Sequence, residues 1–138
     1  VVVTCSVKYL QKHYSSLFDP YLLTNKKIEA INTVQMSTVD KIFLFYDDLS
    51  FFPADTVAVK PIFLNERPAS TDEQSMRENW FYKIYTFDKF HDNLLLVWLT
   101  GDEANYVETL PQEEIIDTLT NLLKKLLKKD NIPKPNRM

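Results

Sequence analysis

The chain has 138 residues, of which 45% are hydrophobic, and that is enough for one domain with a buried core. A net charge of −3 and few arginines (Arg67, Arg77 and Arg137) leave no basic stripe for a phosphate backbone, which argues against a nucleic-acid partner. The longest apolar runs fall far short of the roughly 20 residues of a membrane helix, so we expect no membrane partner.

The cysteine content predicts a location. Cys5 is the only cysteine, so no disulfide can form within the chain, and no Asn-x-Ser/Thr sequon is present. We expect an intracellular protein, and the cytoplasm is the predicted compartment. Cys5 follows a valine run, which predicts a small buried hydrophobe rather than a nucleophile.

Strands and helices alternate irregularly along the chain, as in an α+β fold. The segment "VVVTCSV" predicts a buried strand, and "TNKKIEAINTVQ" predicts an amphipathic helix capped by Thr24 or Asn25. Four more strands are predicted at "VDKIFLFYD", "VAVKPIFLN", "WFYKIYTF" and "NLLLVWLT". Pro61 places the second of these at a sheet edge or bulge.

Two further segments complete the pattern. The polar linker from Asn65 to Asn79 predicts an exposed, mobile loop. Leucines and isoleucines at helical spacing predict a helix from about Pro111 to Lys129, with acidic residues in its first turn and lysines in its last. We expect this helix to cover the core.

Composition and residue spacing by themselves predict no catalytic, metal-binding or nucleotide-binding site. With Gly101 as the single glycine, the sequence encodes no loop that could cradle a dinucleotide pyrophosphate. His13 and His91 have no Cys or carboxylate at metal-ligand spacing, so no metal site is predicted. Asp47 and Asp48 resemble an acid/base pair, but adjacent strand residues point to opposite faces, so we expect solvated turn residues.

Six motifs in order carry a resemblance. "VVVTCSVKYL" with "FDPYLL", then "DKIFLFYDD", "NWFYKIYTFD", "VWLTGDEA" and "NIPKP", cover essentially the whole chain. In order and spacing the chain resembles flavin-dependent polyamine oxidases, and most closely their spermine oxidase branch. Each motif is weak by itself, and the set of six is specific.

The resemblance implies that residues 1–138 are a substrate-binding domain fragment, with the FAD-binding segments outside this chain. The implied fold is α+β, a mixed and mostly antiparallel sheet flanked by helices. The full-length protein would use FAD to oxidise a carbon–nitrogen bond of a polyamine such as spermine or an N-acetylpolyamine, and release hydrogen peroxide. We expect the isolated chain to bind no FAD, to be inactive and to self-associate where the FAD-binding domain of the same polypeptide would cover it.

The resemblance also gives Lys41 a role. This residue matches the lysine that in the family holds a water beside the reactive N5 of the flavin, so Lys41 is the candidate catalytic and cofactor-binding residue. At the mouth of an aromatic strand a lysine is partly desolvated, which would favour proton exchange with such a water. The alternative is a lysine that extends from a strand end with its stem on Phe43 and its ammonium in water.

Period-two alternation extends the candidate site. If Lys41 faces the flavin, Val39 and Phe43 lie on the same side and are candidates for lining the substrate tunnel, with ordinary core positions as the alternative. Trp80 and Trp98 could offer aromatic surface to a cationic amine, although large core aromatics are the simpler interpretation.

The chain departs from the family pattern at several places. Lys8 and the segment "VQMST" stand where glycines are usual, and Phe51 and Phe52 replace a Trp-Gly pair. A different amine substrate or a loss of activity would both account for this. The second hypothesis is therefore a catalytically silent amine-oxidase-like interaction module.

Overall fold

A computed structural model describes residues 2–19, 21–64 and 72–138, and the chain divides into two units, residues 1–37 and 38–138. The elements, in chain order, are α1 (Val7–Leu17), α2 (Asn25–Thr33), β1 (Val39–Phe45), β2 (Ala58–Val59), α3 (Glu73–Asn79), a 3-10 helix (Trp80–Lys83), β3 (Ile84–His91), β4 (Leu94–Thr100), α4 (Asp102–Val107) and α5 (Gln112–Leu127).

The first unit is a pair of helices. The hydroxyl of Ser6 accepts a hydrogen bond from the Tyr9 N–H at the start of α1, and Thr24 does the same for Lys27 at the start of α2, as its sequence predicts. The Gln11 side chain donates to the carbonyl oxygens of Ile31 and Val34 at 2.8 and 2.7 Å, so α1 satisfies acceptors at the end of α2.

The predicted strand "VVVTCSV" is wrong. Residues 2–6 form no helix or strand, and α1 begins at Val7. β-Branched residues favour a strand where a neighbouring strand pairs with them, and no described residue does so here. Cys5 is consequently exposed, not a buried hydrophobe.

The second unit is built on an antiparallel sheet. Its four described strands lie in the order β1-β4-β3-β2, and every neighbouring pair is antiparallel, which confirms the α+β class. All seven residues of β1 pair with β4, from Val39 opposite Thr100 to Phe45 opposite Leu94. β2 is short and lies at an edge, where Pro61 predicts it.

Several boundaries differ from prediction. The strand predicted at "VAVKPIFLN" is reduced to Ala58–Val59, and residues 60–64 form no strand. The strand predicted from Trp80 begins only at Ile84, because residues 80–83 form the 3-10 helix. Within the predicted loop, Glu73–Asn79 is helical, because the Asp72 carboxylate accepts a hydrogen bond from the Ser75 N–H and caps α3. The remaining linker, residues 65–71, lies outside the described residues.

The core lies on one face of the sheet. β1 contributes Ile42 and Leu44, and α5 contributes Leu119 and Leu123, to one buried cluster that also includes residues of β3, β4 and α4. The predicted last helix is thus confirmed as a core-covering helix, with Pro111 as its N-cap residue. None of the helices in the described ranges is long and apolar enough to cross a membrane.

Gly101 connects β4 to α4 through a backbone conformation that needs glycine. Its φ of 86° and ψ of −155° lie in a region that other residues rarely adopt. Its N–H donates to the Thr38 carbonyl at 2.9 Å, and an added Cβ would lie 3.1 Å from Oε2 of Glu103. The single glycine of the sequence is therefore needed for this turn.

We expect Gly101→Ala to lower the free energy of unfolding by about 1–3 kcal/mol, because alanine must adopt this strained backbone conformation. Urea denaturation of the protein measures it. Lys128→Gly is the control, since Lys128 is a non-glycine residue with φ of 53° and glycine there should stabilise the protein. Equal effects of the two variants would contradict the strain assignment.

Candidate functional site

The candidate residues of β1 lie on the face of the sheet opposite the core. Val39 is 52% exposed and Phe43 is 38% exposed, and Lys41 between them is also exposed. Ile42 and Leu44, which alternate with them, are buried in the core. The structure therefore brings Val39, Lys41 and Phe43 together on one surface, which we call the outer face.

Lys41 is placed by a partner on the neighbouring strand. Trp98 of β4 lies directly opposite Lys41, and the Lys41 ammonium lies 4.6 Å from the centroid of its ring. The indole N–H donates to Oδ2 of Asp88 on β3 at 2.8 Å. Lys41 is exposed, because it projects from the outer face above the ring instead of into packed side chains, so the packing of this chain does not bury it as the sequence led us to expect.

A groove lies beside the Trp98 ring and Asp88. It has a volume of about 400 Å³ and is lined by Tyr85, Thr86, Asp88, Trp98 and Thr100. At the edge of the sheet the Lys60 ammonium lies 4.4 Å from the centroid of the Tyr85 ring. The rings of Trp98 and Tyr85 therefore each face a lysine of the protein itself, and these two lysines place positive charge beside the groove.

A second groove lies beside Asp40. It has a volume of about 340 Å³ and is lined by residues that include Asp40, Lys41, Glu108 and Gln112. Burial raises the pKa of the Asp40 carboxyl, and the charge of Glu108 and a hydrogen bond to it raise that pKa further. Asp40 precedes Lys41 on β1, whereas Glu108 is the C-cap residue of α4. The two carboxyl groups and Lys41 line this second groove, which Trp98 does not line.

The other predicted residues lie apart from the outer face. Trp80 is 1% exposed and belongs to the core, which confirms the interpretation as a core aromatic. Phe51 and Phe52 are also core residues, so this departure from the family pattern is accommodated by packing. Lys8 is an exposed residue of α1.

Asp47 and Asp48 are exposed turn residues, as predicted. The carboxylate of Asp47 accepts a hydrogen bond from the Asn136 side chain at 2.7 Å, and that of Asp48 accepts one from the Ser50 N–H at 2.7 Å. His91 is exposed at the end of β3, and His13 packs against the Tyr9 ring in α1. In the described part of the chain no group of three or more His, Cys, Asp or Glu side chains is placed to hold a metal.

The sequence interpretation missed the contact among Lys41, Trp98 and Asp88. The interpretation of Trp98 as a core aromatic is wrong, because Trp98 is only partly buried and lies outside the core cluster. Lys41 of the protein itself lies over the ring that was the alternative surface for a substrate cation. Period-two alternation puts Lys41 and Trp98 each on one face of its strand, but only the pairing register shows that they are directly opposite. That register is a tertiary feature.

The described residues fit FAD only in part. An exposed lysine has three N–H donors for a water or a ring outside the sheet, and Lys41 is so placed. A pyrophosphate needs glycines where the backbone approaches it, and Gly101 is committed to the turn after β4. This chain could therefore contact the flavin ring through Lys41, with the phosphates bound elsewhere.

Comparisons with known proteins identify the family. The model of the family "Flavin containing amine oxidoreductase" matches residues 1–138. The chain is 28% identical over 142 residues to the peroxisomal N(1)-acetyl-spermine/spermidine oxidase of Bos taurus, covering 100% of this chain and 27% of the relative. It is 28% identical over 141 residues to the Homo sapiens protein of the same name, covering 98% and 27% respectively.

The chain belongs to the flavin-containing amine oxidoreductase family. Its curated relatives include N(1)-acetyl-spermine/spermidine oxidases, which confirms the resemblance to polyamine oxidases. The closer resemblance to the spermine oxidase branch stays a prediction. The chain spans about a quarter of the length of these relatives, 27% in both cases.

The raised pKa of Asp40 predicts a pH dependence of stability. The folded state binds the proton more tightly than the unfolded state, so stability falls as pH rises above the ordinary pKa of about 4. We therefore expect Asp40→Asn to be more stable than the parent protein at pH 7 and to lose this advantage near pH 3. Denaturation by urea at both pH values measures the difference.

Asp48→Asn is the control of opposite sign. Hydrogen bonds from the Ser50 hydroxyl and backbone N–H lower the pKa of Asp48, so its ionised form stabilises the folded state at pH 7 and this contribution is lost in acid. A gain in stability from Asp40→Asn that is the same at pH 3 and pH 7 would contradict the assignment.

Proposed function

We propose that this chain is the substrate-binding part of an FAD-dependent polyamine oxidase. The observation that carries the proposal is the exposed outer face with Lys41 between Val39 and Phe43, in a chain that matches the amine oxidoreductase family over residues 1–138. The relatives named as N(1)-acetyl-spermine/spermidine oxidases support a polyamine substrate.

When FAD is bound, it would supply acceptance of a hydride from the carbon beside the amine nitrogen, and its reoxidation by dioxygen would give hydrogen peroxide. The amine would become an imine, which water hydrolyses. The protein contributes binding and orientation of the amine and control of protons. On this proposal the FAD-binding segments belong to the rest of the same polypeptide.

Lys41 is the proposed catalytic residue of this chain. Its ammonium would hold a water beside the flavin N5 and exchange protons with it. Two features support this role: Lys41 projects from the outer face, and its four-carbon stem is long enough to carry three donors away from the sheet. The alternative of a lysine that merely extends into water shares this exposure, so the two interpretations are separated by kinetics.

Val39 and Phe43 are the proposed substrate-binding residues. Their side chains flank Lys41 on the same face, and neither is a core residue. A polyamine alternates charged nitrogens with methylene groups, and exposed apolar side chains would pack against the methylene segments.

We propose an intracellular location. The two relatives are named as peroxisomal proteins, and this supports an intracellular compartment without favouring the cytoplasm. The peroxisome is then an equal candidate, and imaging of a tagged full-length protein against markers of both compartments distinguishes them. Secretion of the tagged protein would contradict the proposal.

The chain by itself should self-associate. Several large apolar side chains are exposed, including Tyr21 at 96%, Leu22 at 66% and Leu64 at 95%. On the proposed function the FAD-binding part would cover some of this surface, so without it the apolar area favours association between copies. We expect sedimentation velocity to show concentration-dependent oligomers, and a strict monomer at high concentration would contradict this.

We expect Lys41→Met in the full-length protein to retain folding and FAD content and to lose turnover. Methionine keeps most of the length and the apolar stem but removes the charge and all donors. The loss should be about 10²- to 10⁴-fold, as for a positioned proton-transfer group, and should appear in flavin reoxidation or a later proton step more than in amine binding. Stopped-flow measurement of both half-reactions with spermine and N-acetylspermine tests this.

Lys60→Met is the matched control. Lys60 is exposed and also lies over an aromatic ring, but it is at the β2 edge and has no proposed role. The same substitution there should leave both half-reactions near normal. Normal kinetics of Lys41→Met, or equal losses in the two variants, would contradict the catalytic assignment.

A further inference from the structure

The first observation is the position of the Lys41 ammonium. Lys41 and Trp98 are directly paired across β1 and β4, and the ammonium lies 4.6 Å from the ring centroid. A cation within about 6 Å of an aromatic centroid is attracted by the negative face of the ring. An exposed lysine has many rotamers of similar energy, and the ring favours those that keep the ammonium above it.

The second observation is the hydrogen bond that fixes the ring. Asp88 comes from β3, on the other side of β4, and its Oδ2 accepts the indole N–H of Trp98 at 2.8 Å. A carboxylate acceptor makes this a charge-assisted bond, which restricts rotation of the indole. It also shifts electron density toward the ring, which increases the attraction for a cation.

Packing alone does not account for this arrangement. Trp80 shows what a core tryptophan looks like in this fold: it is 1% exposed and belongs to the buried cluster. Trp98 is partly exposed, lies on the opposite face and is not a member of that cluster. A partly buried indole normally finds an acceptor, which explains Asp88, but that requirement does not place a lysine over the ring.

We propose that Trp98 is a positioning residue for Lys41, and that Asp88 holds the indole in the orientation that does this. Three neighbouring strands thus place one ammonium at a defined point on the outer face. The geometric claim stands by itself, and its importance for catalysis rests on the proposed function.

The geometry is tested in the full-length, flavin-loaded protein labelled with ¹³C-lysine in a deuterated background. Protons above an indole face resonate upfield, so the methylene next to the Lys41 ammonium should be shifted, and Lys41→Met identifies its signal. Trp98→Leu should abolish the shift, and Trp98→Phe should retain part of it because a ring remains. A Lys41 signal that is unchanged in both variants would overturn the proposal.

Asp88 is tested with two substitutions. Asp88→Asn retains an oxygen acceptor for the indole N–H, whereas Asp88→Ala removes it, so the Lys41 shift should decrease more in the alanine variant. Tyr85→Leu is the matched control, because it removes the ring under Lys60 and should alter the Lys60 signal alone. An unchanged Lys41 shift in Asp88→Ala would overturn the role of Asp88.

Kinetic measurements then distinguish the positioning of Lys41 by Trp98 from the proposed catalytic role of Lys41. Trp98→Leu should lower the oxidative half-reaction by about 2- to 30-fold, the range for losing an exposed to a covered cation–π contact, and Trp98→Phe should restore most of it. A Trp98-dependent shift with normal kinetics of Lys41→Met would leave the positioning intact and refute the catalytic role. Impaired Lys41→Met with a Trp98-independent shift would refute the positioning alone.

Discussion

The antiparallel pairing of β1 with β4 is the constraint on which the rest of this structure depends. All seven residues of β1 take part, and the register places Lys41 opposite Trp98. A slip by one residue would turn Ile42 and Leu44 outward and carry Lys41 into the core, so burial of the apolar side chains fixes the register strongly. The position of the candidate catalytic lysine is thus a consequence of core packing on the opposite face.

The two faces of the sheet in the second unit have different roles. One face carries the core with α5, and it also accommodates Phe51 and Phe52, which stand where the family usually has a Trp-Gly pair. The other face carries the proposed site residues and the contact of Lys41 with Trp98. Because Phe51 and Phe52 are packed in the core and not on the outer face, this replacement does not by itself favour the hypothesis of a catalytically silent interaction module.

Much of this fold could be predicted from the sequence where a local pattern decides the structure. The alternation in β1 and the helical spacing in α5 are such patterns, and both predictions are confirmed. Residues 2–6 were wrongly predicted as a strand, because strand formation depends on a partner that local sequence does not show. The contact of Asp88 with Trp98 joins residues of two strands, so no local pattern could indicate it. The catalytic role predicted for Lys41 is implied by the family resemblance and not by periodicity.

The central claim is that Lys41 faces the flavin of the full-length protein. Its most direct test is the rate at which an amine-specific reagent labels each lysine, followed by mass spectrometry, in the protein with and without FAD. The account predicts that FAD protects Lys41 from labelling and leaves Lys60, the exposed lysine at the β2 edge, unaffected. Equal labelling of Lys41 in the two forms would contradict the account.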